Sequence, residues 1–258
     1  MLITHEVPFS LLEMSREFND IDYVLVHLLE DYPNYYKFFE KSLAMGRTVI
    51  LDNSIFELEE VFDADRFAYW VERLKPTEYI IPDVLDNSTA TIESCMNWIT
   101  EYSHLPGKTI GVIQGATVED AIECYSTISL LVDKVAISFN CKFYEYLYPH
   151  TNKLFSWMHG RQMFIDLLID EGIINISQPF HLLGIALPQE IQHYKSGYDF
   201  IESIDTSNPI VHAINNISYK SYGLDSKVSE KMINYLHYTE IDHNILNHNI
   251  KKFRSFIK

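Results

Sequence analysis

TVILD (Thr48–Asp52) is a short apolar, β-branched run that stops on a carboxylate. Five more runs of the same kind come after it: YIIPD (Tyr79–Asp83), TIGVIQG (Thr109–Gly115), KVAISFN (Lys134–Asn140), HLLGIAL (His181–Leu187) and FIESID (Phe200–Asp205). Each ends on, or contains near its end, a polar or glycine residue of the kind a chemical site needs, and helix-like segments fill the gaps. A parallel α/β chain reads this way, as strands alternating with helical patterns. The reading predicts a compact (β/α)8 TIM barrel, whose site groups gather at the carboxyl ends of its strands.

The bulk properties agree. A chain of 258 residues fits one such barrel, so a single domain over 1–258 is expected. With 47% hydrophobic and 14% aromatic residues there is ample core, which excludes disorder. No stretch approaches the roughly 18 uninterrupted apolar residues of a membrane span. The start, MLITHEVPFS, lacks the basic beginning and apolar core of a signal peptide, so a soluble cytoplasmic protein is expected. Cys95, Cys124 and Cys141 are irregularly spaced and form neither a CxxC pair nor a disulfide framework. This suits a reducing compartment and gives no reason for structural zinc. Net charge is −16, from 20 basic and 36 acidic residues. That excludes a non-specific nucleic-acid binder while leaving room for a local basic groove. KKFRSFIK (Lys251–Lys258) is the one clearly basic stretch.

Between the six runs the punctuation predicts the other elements. YVLVHL (Tyr23–Leu28) is a further strand, and YYKFFEKSLAM (Tyr35–Met45) a helix that stops at Gly46. Helices are expected over Ala64–Leu74, over Ser88–Tyr102 with Asn87 or Ser88 as cap, and from Thr117 to about Leu131. Others are expected over Gln162–Asp170, Pro188–Tyr194, Ser226–Leu236 and about Ile241–Phe256. Ile210–Ile214 is the best candidate for the strand that completes the barrel.

Asp52, Asp83, Gln114 and Asp205 would then share one mouth. Carboxylates close together in a partly dry pocket push their pKa values apart, so that one stays ionised as a nucleophile while another holds a proton. Gln114 and the backbone at Gly115 and Gly184 can hydrogen-bond a flat heterocycle, and a glycine lets a ring approach closely. Phe56 and Phe139 sit beside strand ends where a base could stack. Singly, each residue has a plainer reading: Asp52 as a helix cap, Asp83 after Pro82 as a turn, Asp205 as an Asx turn before Pro209. Their joint placement at successive strand ends favours chemistry. His243 and His248 are five apart and do not share a helix face as a metal pair would; Ser138 lacks a GxSxG elbow. Arg47, Lys142, Arg161 and Lys220 are the cations predicted near strand-end loops and the candidates for phosphate contact.

The order LDNSIFE, IPDV, GVIQG, LLGIALPQE and SIDTSNP resembles the tRNA-guanine transglycosylase superfamily, most of all its phage 7-deazaguanine DNA transglycosylases. The resemblance spans about residues 48 to 215. It implies a pentosyltransferase that exchanges guanine in DNA for a free 7-deazaguanine base (preQ0-like), with no cofactor or metal. Asp205 matches the nucleophile, Asp52 the general acid/base, and Asp83, Gln114 and Gly184 the positions that recognise the base. The tRNA enzymes carry a zinc site of closely spaced cysteines and a histidine, absent here, which turns the expectation toward DNA. In duplex DNA the target guanine would have to be flipped out or already unpaired. The alternatives are a tRNA-directed member, a non-catalytic partner subunit, and an unrelated barrel hydrolase using paired carboxylates.

Overall fold

The computed structural model describes residues 1–228 and 231–257. Its core is a single sheet of eight parallel strands: β1 (Leu2–Thr4), β2 (Asp22–Leu25), β3 (Val49–Asp52), β4 (Glu78–Ile80), β5 (Lys108–Ile113), β6 (Lys134–Ile137), β7 (Phe180–Leu182) and β8 (Ile201–Asp205). The spatial order is β1-β8-β7-β6-β5-β4-β3-β2, each pair parallel and joined through helical or looped connections. The expected (β/α)8 architecture is therefore present as a nearly closed barrel. Among the described residues no helix is long and apolar enough to cross a membrane.

Two side chains close the seam between β1 and β2. Asp20 Oδ2 accepts from Ile3 N at 2.9 Å, and Asn19 exchanges hydrogen bonds with both the N–H and the carbonyl of His5. The otherwise open edge is thus satisfied by the turn that leads into β2, which is how an unpaired strand edge is kept from seeking another chain.

The completing strand is β1, not Ile210–Ile214. That segment forms the helix Asn208–Ile214, and all seven of its residues are buried. A short apolar run buried on every side carries no period that separates strand from helix. Pro209 in its first turn decides for the helix, because its fixed φ suits that position and its missing N–H costs nothing there. The expected strand Tyr23–Leu28 is also shorter: β2 ends at Leu25, and Val26–Asp31 is helical. The helices Ala64–Leu74 and Ser88–Tyr102 occur with the expected bounds, and Asn87 caps the latter by accepting from Ala90 N. Thr117 and Asp120 form a capping box on Val118–Ile128. The helix expected from Gln162 starts earlier, as Lys153–Asp170, and that from Ile241 is His243–Arg254. Among the described residues of the segment Ser226–Leu236, Met232–Tyr235 forms a 3-10 turn and no α-helix is present, and Pro188–Gln192 is likewise 3-10. Ser229, Glu230 and Lys258 lie outside the described residues.

A second apolar cluster fixes the course of the chain after β8. Ile210, Val211 and Ile214 pack with Val7, Leu11, Met232, Leu246 and Ile250. The segment after β8 is thereby drawn back over the carboxyl end of the barrel, bringing Lys227 and Lys231 to its mouth.

Candidate active site

The carboxyl ends of the strands enclose a cavity of about 350 Å³, within the range of small-molecule sites. Asp205 ends β8 and faces the barrel interior together with Ser203, two residues earlier. His181 on β7 is in register with Ser203. Its Nε2 lies 3.0 Å from Asp205 Oδ1 and its Nδ1 2.8 Å from Ser203 Oγ. A carboxylate only accepts, so Nε2 carries the proton; in the neutral ring Nδ1 then accepts from the Ser203 hydroxyl. Gly184 N donates to the same Oδ1 at 2.9 Å. Among the described residues nothing donates to Oδ2, so Asp205 is held by one oxygen and has the other free.

Asp52 ends β3. Tyr23 Oη on β2 donates to its Oδ1 at 2.8 Å, and Ser54 N to its Oδ2 at 2.8 Å. Ser54 bends back into the left-handed region (φ 61°) to do so. Burial, with repulsion from Glu57 behind it, raises the Asp52 carboxyl well above its ordinary range, against the pull of those two hydrogen bonds. Asp83 is held from both sides: Asn53 Nδ2 donates to Oδ1 at 2.7 Å and Gln114 Nε2 to Oδ2 at 2.6 Å. Burial pushes it up to about 6, partly offset by those amides. Gln114 does not line the cavity; it is a support for Asp83 and also accepts from Asp86 N.

One wall is aromatic. Phe56 and Phe139 stand 5.6 Å apart between centroids, and Phe139 continues to Trp157 at 5.7 Å. Gly184 has φ +62°, and a Cβ there would lie 2.6 Å from Phe139 Cδ1, so glycine is needed both for the backbone and for the ring beside it. Ser138, Phe139 and Asn140 all line the cavity.

Several site residues were not singled out by the sequence. Glu6 lines the cavity just past β1. The run LITHE ends on a carboxylate as three of the other six do, but so close to the chain start that it did not read as a strand. Glu57 lies inside LDNSIFE. Lys227 comes from an irregular segment with no local signal; its Nζ sits 3.9 Å from the Phe139 centroid, and burial lowers it to about 8. Lys231 Nζ donates to the carbonyls of Phe56 and Glu57 and to Glu59, tying the loop after β3 to the segment after β8.

Several expected contacts fall elsewhere. Arg161 is 0% exposed, forked onto Glu190 and donating to the carbonyls of Ile137, Leu183 and Gly184, so no phosphate can meet it. It is instead the clasp that holds the β6 and β7 ends in place. Arg47 precedes β3 and pairs with Asp22 at the opposite end of the barrel. Gly115 is not in the cavity wall; it packs against the backbone of Ala121, where a Cβ would lie 2.6 Å from the nitrogen. Lys142, ion-paired to Asp86 at 2.7 Å, and Lys220 are both exposed.

Comparison with protein-family models finds no match to this chain, and comparison with curated proteins finds none either.

Proposed function

We propose that the protein is a transglycosylase that exchanges guanine in DNA for a 7-deazaguanine base through a glycosyl ester on Asp205. The observation that carries this reading is the one-sided grip on Asp205. Two donors on Oδ1 fix the carboxylate, while no described residue donates to Oδ2, on a residue lining the cavity. A nucleophile needs that arrangement: oriented through one atom, free at the other.

Oδ2 attacks C1′ of the deoxyribose as the bond from C1′ to the guanine nitrogen breaks. The incoming base then displaces Asp205 from C1′, so configuration is retained overall, as in retaining glycosidases with a base in place of water. The departing guanine needs a proton and the entering base must lose one. The resemblance gives that role to Asp52, and burial favours the protonated form at Glu6 and Glu57 of the same cavity as well. Phe56 and Phe139 offer a stacking wall, and Asp83, fixed by Asn53 and Gln114, offers a carboxyl for the donor edge of a purine. DNA rather than tRNA is the substrate proposed, because Cys95, Cys124 and Cys141 are each buried and dispersed and the described residues hold no cluster like the zinc site of the tRNA enzymes.

Mass spectrometry of nucleosides from a guanine-containing oligonucleotide incubated with protein and candidate 7-deazaguanines tests the reading. The modified nucleoside should appear with wild type and not with Asp205→Asn, and a protein–DNA adduct should survive denaturing electrophoresis. Full turnover by Asp205→Asn would overturn the assignment. Exchange on tRNA alone, offered in parallel, would move the substrate.

A further inference from the structure

A proton exchanged at Asp52 must compete with hydrogen bonds that this carboxyl already makes. Both of its oxygens already accept, from Tyr23 and from Ser54. Glu57 differs. It lines the same cavity from the short helix Ile55–Leu58, and no other described residue donates a hydrogen bond to its carboxylate. The contact from Lys231 goes to its main-chain carbonyl, at 3.2 Å. Its neighbour Phe56 belongs to the aromatic wall on which a base would stack.

We infer that Glu57 is a further catalytic residue, the carrier that gives a proton to the departing guanine and recovers it from the entering base. This rests on the base-exchange reading. The balance closes in two steps. As C1′–Oδ2 forms, the bond from C1′ to the guanine nitrogen breaks, and that nitrogen leaves with the Glu57 proton. In the second step the N–H of the entering base gives its proton to the Glu57 carboxylate while its nitrogen displaces Asp205 at C1′. Asp52 is then a fixed partner beside the pair, and no oxidant, metal or co-reactant enters.

The surroundings support the role. Burial, with repulsion from Asp205, pushes Glu57 up to about 7, against the pull of its own backbone N–H and of Lys231 and Lys227. Glu6 past β1 and Asp52 on β3 are the other carboxyls that face it, and the Tyr35 phenol lies within its field. A carboxyl that titrates near neutrality can hold a proton in one half-reaction and release it in the other.

The test is the pH profile of single-turnover exchange with the full-length protein, a guanine-containing oligonucleotide and a 7-deazaguanine base. For wild type the rate should fall as pH rises through about 7, because the first step needs Glu57 protonated. In Glu57→Gln this limb should vanish, with the rate at pH 6.5 down at least tenfold and an unfolding midpoint close to wild type. Glu57→Asp should restore a limb. Glu57→Gln retaining both the limb and the rate within twofold would overturn the inference alone. Wild type giving neither exchange nor adduct at any pH would overturn the base-exchange reading and this assignment with it.

Discussion

Tyr23 and His181 lie face to face inside the barrel, their planes 13° apart and their centroids 6.1 Å apart. The first holds Asp52 and the second holds Asp205. The two strand-end carboxyls are therefore aimed by one stacked layer, although β3 and β8 are not neighbours in the sheet. Carboxyls held by packed, hydrogen-bonded side chains need little reorganisation when charge moves nearby, the basis of electrostatic preorganisation.

His181→Ala should consequently lower the exchange rate constant by roughly 10- to 100-fold while leaving KM for the free base within about threefold, the signature of a misaligned nucleophile rather than a lost binding contact. Because His181 is fully buried and bonded at both nitrogens, some stability is lost as well. Steady-state kinetics alongside thermal unfolding separate the two effects. An unchanged rate constant would show that Gly184 alone suffices to orient Asp205.

Gly184→Ala should act on the base pocket instead. The new Cβ would lie 2.6 Å from Phe139 Cδ1, and the φ of +62° is strained for any L side chain, at a cost of about 1 kcal/mol. Phe139 must move, which also disturbs the seat of Lys227 on its face. KM for the base should rise at least fivefold. Base affinity by calorimetry checks this directly.

Arg161→Met should cost about 3–5 kcal/mol of stability, because it leaves Glu190 buried without its partner. The salt dependence of DNA binding should not change. Lys142→Ala offers the contrast: it is exposed and should leave stability nearly unaltered. If it meets a phosphate, the slope of log affinity against log salt should fall by about 1. Denaturant unfolding and salt titrations of both variants decide between clasp and contact.

Stability itself should fall as pH rises from about 4 to about 7 on account of the raised cavity carboxyls, Asp83 and Glu57 among them. Asp83 moves from 3.8 to about 6 on folding, and Glu57 from 4.5 to about 7. Both are raised, so across that window the native state binds more protons than the unfolded chain, and raising pH favours unfolding. Their contribution is level below the unfolded values and above the folded ones. Glu57→Gln removes one of these carboxyls, so its urea midpoints at pH 5 and pH 7.5 should lie closer together than those of wild type. An equal separation would mean that Glu57 does not titrate in this range.

The residues legible in the sequence were those whose role is local. An apolar β-branched run ending on a carboxylate marks both a strand and the direction of its last side chain, so Asp52, Asp83 and Asp205 could be placed at one mouth before any contact was known. Thr117 and Asp120, or Asn87, announce a helix start for the same reason, since a cap needs only its own next turn. What the tertiary structure decided depends on neighbours distant in sequence. Whether Leu2–Thr4 is a strand depends on β8 and on Asn19 and Asp20, and whether Ile210–Ile214 is a helix depends on what buries it. The burial of Arg161, the approach of Lys227 to Phe139 and the stacking of Tyr23 on His181 are likewise set by packing across the barrel. Local sequence specifies dihedrals and alternation, whereas burial and the field at a carboxyl are sums over the whole fold. Strand ends are therefore readable in one dimension, but which of their carboxyls carries a proton is decided only in three.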